Sequence, residues 1–283
     1  MKKDSGFLAR ILAAFLLLAA VPPAAQAQES KDVTRATMAG IGGVNLLETY
    51  LSPEKYTGTE LRLIQHVTRE SPSRPRWARQ LVHEAHASSA SNRADNANFL
   101  TAFYHFEYDW HRRIVSATLG GGTFRLKAGP GADAMAGVVY STRNGNNPAQ
   151  AHFGLHATAS MVADYALPKA EGRWKWLVPA AIRYEIQVPL LGVQFSPNFG
   201  QSYYEIFTQG NYDHNLIVST PLNAPSMRQM LTADFRLSAS SALRIGYRGD
   251  YQQSKLNDLK FHEWSHLLVL GFVKTFSITQ RPL

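Results

Sequence analysis

The amino-acid sequence predicts an all-β protein, an antiparallel transmembrane β-barrel of about 12 strands (range about 10–14), preceded by a cleaved signal peptide. Three observations support this fold class. An export signal opens the chain, apolar and polar side chains alternate with a period of two, and the polar face carries charges of both signs.

The N-terminal segment predicts export. Basic residues up to Arg10 precede an apolar run from Ile11 to Val21, and small residues follow as far as Ala27. This order is typical of a signal peptide, and the apolar run is too short to cross ~30 Å of hydrocarbon as a helix. We therefore expect residues 1–27 to be a signal peptide and residues 28–283 to form a single domain in the bacterial outer membrane.

The composition narrows the set of partners. The chain has no cysteine, so it can form neither a disulfide nor a lipidated cysteine. Its formal net charge is +8, but no Lys/Arg-rich run indicates a nucleic-acid surface. We expect outer-membrane lipids and the barrel-assembly machinery as partners, with no nucleic acid and no cofactor. The oligomeric state is left open.

Alternation with a period of two is the main evidence for strands. From His152 to Tyr165 nearly every second residue is apolar. The stretch Arg173–Leu190 repeats the pattern over a length of about 60 Å, whereas strands of soluble domains usually have ~3–10 residues. Similar stretches are Thr59–Glu70, Arg76–Ser88, Phe99–His111, Met227–Ser238, Ala242–Ser254 and His262–Ser277.

The two faces of these strands predict closure. If the apolar faces contact lipid, every backbone polar group needs a protein partner, so the sheet cannot keep free edges. Tryptophans near the strand ends are typical of interfacial girdles: Trp77, Trp110, Trp174 and Trp176. The charges predicted to face the lumen are His105, Glu107, Asp109, Arg183, Glu185, Asp234, Arg236, Arg244, Arg248 and Asp250.

Polar breaks between the strands predict the loops. With both termini in the periplasm, the outer loops are Leu51–Gly58, Ser89–Asn98, Ala128–Ala132, Pro168–Gly172, Gly210–Ser226 and Lys255–Phe261. Ser71–Pro75 and Ser238–Ser241 are predicted as short periplasmic turns. Thr142–Gln150 and Leu191–Gln201 are predicted as longer connections at that same end.

Three stretches of the sequence resemble a known family. They are Asn92–Asn98 (NRADNAN), Tyr140–Pro148 (YSTRNGNNP) and Phe195–Phe207 (FSPNFGQSYYEIF), the last running on to Asn211–Asn215 (NYDHN). They are similar to a Bacteroidota family known as domain of unknown function 3316. The resemblance spans most of the chain after the signal peptide. It implies an exported β-rich protein and implies no reaction, ligand or catalytic residue.

The string His262–His266 (HEWSH) matches the H-E-x-x-H motif of zinc proteases. On a helix both imidazoles would reach one zinc ion, but the flanking residues predict a strand, where the two histidines lie ~13 Å apart. No Asp, Glu, His or Cys follows His266 to supply a third ligand. We therefore expect this string at a strand end and expect no metal site.

A second string suggests an alternative function. Glu84, His86 and Ser88 lie on one face of a predicted strand, and carboxylate, imidazole and hydroxyl groups together can perform nucleophilic acyl transfer. The pair His86 and Ser88 also resembles the His-x-Ser arrangement of outer-membrane phospholipases and lipid A deacylases. This hypothesis predicts a lipid hydrolase that loses fatty-acid release in Ser88→Ala.

The long loop containing Tyr212, Asp213, His214 and Asn215 suggests ligand contact or a plug, with an ordinary solvated loop as the alternative. His105, Glu107 and Asp109 could bind a cation, but they are expected to pair with inward arginines. The sequence therefore favours a non-enzymatic outer-membrane barrel, which is a narrow pore, a plugged structural barrel or a surface-binding protein.

Overall fold

The structure, a computed structural model, describes residues 30–172 and 177–279. The predicted signal peptide, Trp174 and Trp176 lie outside these residues. Within the described ranges, no helix has both the length and the apolar character that crossing a membrane would require.

Eleven antiparallel strands and one short helix form the regular structure of the described residues. The strands are β1 (Ser30–Glu48), β2 (Ser52–Glu70), β3 (Trp77–Asn92), β4 (Asn98–Leu119), β5 (Gly122–Ser141), β6 (Ala149–Ala166), β7 (Ala181–Phe195), β8 (Leu216–Ser219), β9 (Met227–Arg236), β10 (Ser241–Leu256) and β11 (Leu259–Thr279); the helix α1 is Tyr203–Phe207. Each of β1 to β7 pairs with the next strand in sequence, β1 pairs with β11, and β9 joins β7 to β10. Together with the pairing of β10 and β11, these pairings close a barrel, which confirms the predicted antiparallel β-barrel.

The barrel wall contains ten strands, at the lower limit of the predicted range. The eleventh strand, β8, pairs with Gly192–Phe195 of β7, and β9 pairs with Ala181–Gln187 of the same strand. Because β6 occupies the other edge of β7, β8 and β9 must share one edge and together form a single interrupted wall strand.

The predicted break Ala128–Ala132 is wrong, because these residues lie inside β5. Pro130 has no N–H to donate, and the register between β4 and β5 skips this position. A side chain at Gly129 would collide with the carbonyl oxygen of Trp110. The chain reverses instead at Gly120 and Gly121, whose φ angles of 52° and 78° suit a tight hairpin turn.

Because the chain reverses at 120–121 and not at 128–132, three connections lie at the opposite end of the barrel from the one predicted. Ser30 and Thr279, the first and last described residues, lie at one end, here called the terminal end, together with the turns 71–76, 120–121 and 237–240. Pro168–Gly172 also lies at the terminal end, so its assignment as an outer loop is wrong. The opposite end, here called the loop end, carries the connections 49–51, 93–97, 142–148, 196–226 and 257–258. Thr142–Gln150 and Leu191–Gln201 therefore belong to the loop end and not to the terminal end.

The two faces of the wall differ as predicted. Leu61 and Leu63 are 60% and 66% exposed on the outside, while Arg62 between them is 1% exposed on the inside. Trp77 and Trp110 lie near the terminal end with exposed rings, as a girdle requires. The outer surface is therefore apolar, and the charges lie in an enclosed interior.

Candidate functional site

Arg62 on β2 lies at the centre of the buried charges. Its guanidinium donates hydrogen bonds of 2.6 Å to Glu60, Glu84 and Asp250. All four side chains are at most 1% exposed. One guanidinium thus connects β2, β3 and β10, and the carboxylates need it because a buried charge without a partner is costly.

Arg228 on β9 forms the second centre. Its guanidinium donates to Glu107 at 2.7 Å, to Asp133 at 2.9 Å and to His105 at 2.8 Å. Arg248 pairs with Glu84 at 2.9 Å. Since β9 and β4 lie on opposite sides of the barrel, these bonds cross the lumen and hold its walls together.

The predicted lumen charges mostly face inward. Seven of them are buried, and Arg183 and Asp234 are partly buried; Arg236, at the end of β9, is exposed. Glu107 pairs with an arginine as expected, whereas Asp109 accepts hydrogen bonds from Ser160 and Gln187.

Glu84, His86 and Ser88 share the inward face of β3, but their hydrogen bonds lead to different partners. His86 Nε2 lies 3.0 Å from Glu263, and the Ser88 hydroxyl lies 2.7 Å from that of Thr101. Glu84 is held by arginines. No hydrogen bond among the described residues couples Ser88 to His86. The hydrolase hypothesis stays a prediction without support from this geometry.

The H-E-x-x-H string lies on β11, as its flanks predict. Glu263 faces the lumen with 0% exposure, whereas His262 bonds to Asn45 and His266 bonds to Tyr247. The two histidines therefore have separate partners, whereas Glu263 and Ser265 of the string join the interior network.

Apolar side chains fill the lumen on the loop-end side of the charges. Phe99, Phe103 and Tyr56 belong to a buried cluster there, and the rings of Tyr56 and Phe99 stack at 3.7 Å. Two cavities lined by described residues measure about 20 Å³ each, which is room for about one water molecule. Charged and apolar side chains therefore occupy much of the interior around these cavities.

The connection after β7 forms an ordered lobe, here defined as residues 196–215. Ser202 begins α1 and makes a capping box with Glu205. Hydrogen bonds from the backbone N–H and the hydroxyl of Ser202 lower the pKa of Glu205. Gln201 and Asn215 hold the segment together through a 2.7 Å bond between their side chains. Hydrogen bonds between residues within this segment thus hold the lobe in one conformation.

Three contacts attach the lobe to separate points of the rim. The Tyr50 hydroxyl donates to the carbonyl of Gln201, and the Tyr203 hydroxyl donates to Gln150 on β6. Asn257, in the turn between β10 and β11, donates to backbone carbonyls of the lobe. Because β1, β6 and β10 are spread around the barrel, the lobe crosses its mouth.

The predicted ligand-binding residues divide into two kinds. Asn215 is 3% exposed and its amide donates to the carbonyl of Ser196, so it supports the lobe. Tyr212 is 61% exposed, and the exposed side chains of Asp213 and His214 contact each other, with His214 Nδ1 2.7 Å from an Asp213 oxygen. These three remain candidates for ligand contact.

Sequence analysis missed the central residues of the network. Glu60 and Arg62 alternate with leucines within the predicted stretch Thr59–Glu70, so the period-two pattern could have placed them inside. Arg228 is the second residue of the predicted strand Met227–Ser238, where apolar and polar residues also alternate. Which of these charges meet across the lumen depends on strand register, which alternation alone does not specify.

The fold and interior define a closed antiparallel β-barrel with a filled, charged lumen and a lobe across one mouth. The chain belongs to the family described as "Protein of unknown function (DUF3316)", whose model matches residues 8–281. Comparison with curated proteins gives no match.

Solved outer-membrane structures resemble the chain in overall fold. The outer membrane protease OmpT from Escherichia coli is 6% identical with a TM-score of 0.46, covering 91% of this chain and 99% of that protein. Neisserial surface protein A is 10% identical with a TM-score of 0.34, covering 87% and 97%. The strand pairings themselves, and not these similarities, establish the barrel.

Proposed function

We propose that this protein is an outer-membrane β-barrel that does not conduct and that serves as a rigid scaffold for the lobe at its loop end. The observation that carries this proposal is the filled lumen, where ion pairs join opposite walls and the cavities hold about one water each. Among the alternatives left by the sequence, this supports a closed barrel with surface contacts over a narrow pore.

The membrane location is supported by the distribution of apolar surface. Large apolar side chains are exposed along the strands, as at Leu268 (70%) and Leu270 (56%), while charges are enclosed. A soluble sandwich would have the reverse arrangement, because its apolar faces pack against each other. The cleaved signal peptide, the Bacteroidota origin and contacts with the barrel-assembly machinery remain predictions.

The lobe supports a role in surface contact. Phe199, Tyr204 and Phe207 are 77%, 63% and 62% exposed, although the backbone around them is held by side-chain amides. Exposed aromatic groups on an ordered backbone are typical of binding surfaces, because they gain contact area at low entropic cost.

Planar-bilayer recording tests the closed lumen. The purified full chain, folded in detergent and inserted into the bilayer, should give no single-channel steps, because no continuous water path crosses the packed interior. Heat-dependent mobility on gels would verify that the inserted barrel is folded. Reproducible conductance steps from the folded protein would contradict the proposal.

Cysteine labelling tests the orientation, since the chain has no native cysteine. Tyr204→Cys in the lobe should react with a membrane-impermeant maleimide on intact cells. The matched variant Ala239→Cys, exposed in the turn 237–240 at the terminal end, should react only after the outer membrane is permeabilised. The opposite pattern would place the lobe in the periplasm.

A further inference from the structure

A compact set of metal-ligand groups lies inside the charged network, apart from the lobe. Glu60 on β2, His86 on β3 and Glu263 on β11 each have a side chain with 0% exposure. One ligand atom from each, an imidazole nitrogen and two carboxylate oxygens, lie within 4.8 Å of one another. Three strands of the wall thus direct a nitrogen and two oxygens at one point.

The spacing of these atoms is close to what a metal ion requires. Zinc bonds to histidine and glutamate are ~2.0–2.2 Å long, so two ligand atoms of one ion are at most ~4 Å apart. His86 Nε2 and a Glu263 oxygen are 3.0 Å apart. To bind an ion, the Glu60 oxygen would need to move only slightly closer to the other two ligand atoms.

Neighbouring groups orient the three ligands. The hydroxyl of Ser265 donates to Glu60, and the hydroxyl of Thr101 lies 3.4 Å from Glu263. The ring of His86 stacks on Phe103 with a centroid distance of 5.2 Å. Hydrogen bonds and packing of this kind typically hold the ligands around a protein-bound metal.

The charge balance around the set is compatible with a bound cation. Three guanidiniums, those of Arg62, Arg228 and Arg248, pair with the carboxylates of this part of the lumen. Its carboxylates are Glu60, Glu84, Glu107, Asp133, Asp250 and Glu263. With neutral histidines, these described groups have an excess of three negative charges, and uncompensated charge in a closed interior is strongly unfavourable. Protons or a bound cation must supply the missing positive charge.

We propose that Glu60, His86 and Glu263 bind one divalent transition-metal ion, of which zinc is the representative, as a structural centre inside the barrel. The imidazole nitrogen favours zinc over calcium or magnesium, which take oxygen ligands. These three residues supply three of the four ligands that zinc usually takes, and a water molecule would supply the fourth. The ion joins β2, β3 and β11 and neutralises two of the excess negative charges.

Metal content after refolding tests this centre. The full chain is unfolded in urea with a chelator, refolded in detergent with zinc, freed of unbound metal by gel filtration and analysed by mass spectrometry. The wild type should retain about one zinc per chain, and Glu263→Gln and His86→Asn should retain at least about tenfold less. Glu107→Gln, which alters a carboxylate held by Arg228 instead, should retain the wild-type amount.

Two results would overturn the proposal. If the folded wild type retains only background zinc, protons and not a metal ion compensate the excess negative charge. If folded Glu263→Gln and His86→Asn retain as much zinc as the wild type, the ion binds elsewhere. If these variants do not fold, refolding the wild type with cobalt decides the question. Cobalt held by one nitrogen and two carboxylates absorbs visible light. A folded barrel that shows no visible absorption after refolding with cobalt would lack the proposed centre.

Discussion

The middle of the lumen and the lobe at its mouth are both held by polar side chains, but the bonds differ in kind. In the lumen, charged side chains bond to each other across the barrel, as Arg62 does with Asp250 at 2.6 Å. In the lobe, neutral amides bond to nearby backbone carbonyls, as Asn215 does with Ser196. Loss of one partner in the lumen leaves a buried charge, whereas loss of one amide leaves a carbonyl that water can reach. A substitution in the lumen should therefore lower the stability of the whole barrel, whereas a substitution in the lobe should loosen only the lobe.

The largest effect is expected for Arg62→Met. Removing the guanidinium leaves Glu60, Glu84 and Asp250 without their shared partner, which should lower the free energy of unfolding by about 3–5 kcal/mol. Urea unfolding of the detergent-folded barrel measures the change. Arg236→Met, at an exposed arginine, is the control and should change stability by about 0.5 kcal/mol or less. Equal unfolding midpoints for the two variants would show that the ion pairs do not stabilise the wall.

An intermediate and local effect is expected for Asn257→Gly. The amide of Asn257 donates to the carbonyls of Ser196, Pro197 and His214, and glycine keeps the backbone φ of 49° without strain. The lobe should loosen by about 1–2 kcal/mol, seen as faster amide hydrogen exchange in residues 196–215, while the unfolding midpoint of the barrel stays the same.

Asp258→Gly is the matched control for that change. Asp258 lies in the same turn with a φ of 60°, but its side chain makes none of those three bonds. It should leave exchange in the lobe unchanged. Equal exchange in both variants would mean that the turn backbone, and not the amide of Asn257, holds the lobe.

The smallest effect on stability is expected for Phe199→Ala. This side chain is 77% exposed, so its loss should change the free energy of unfolding by about 0.5 kcal/mol or less. Hydrogen exchange in the lobe should also be unchanged. A large loss of stability would show that Phe199 packs within the lobe, which would remove it from the surface proposed for contact.

Much of the wall could be predicted from local pattern. The stretch Ala242–Ser254 lies within β10, and Met227–Ser238 covers β9, because a half-buried strand must alternate. The composition of Gly129–Pro130–Gly131 was misleading, since glycine and proline mark both turns and strand irregularities. The true turn at Gly120–Gly121 was missed, although three consecutive glycines between Thr118 and Thr123 are a turn signal.

The order of residues was enough to predict long strands with one apolar and one charged face, because a residue's side of a strand follows from its position along it. Which charges meet depends on the three-dimensional fold. Arg62 meets Asp250, and Arg228 meets Glu107, from strands far apart in sequence, and these contacts depend on register and closure, which no local pattern encodes. The pairing of β1 with β11, which closes the barrel, likewise brings Glu263 to Glu60 and His86 on the adjacent strands β2 and β3.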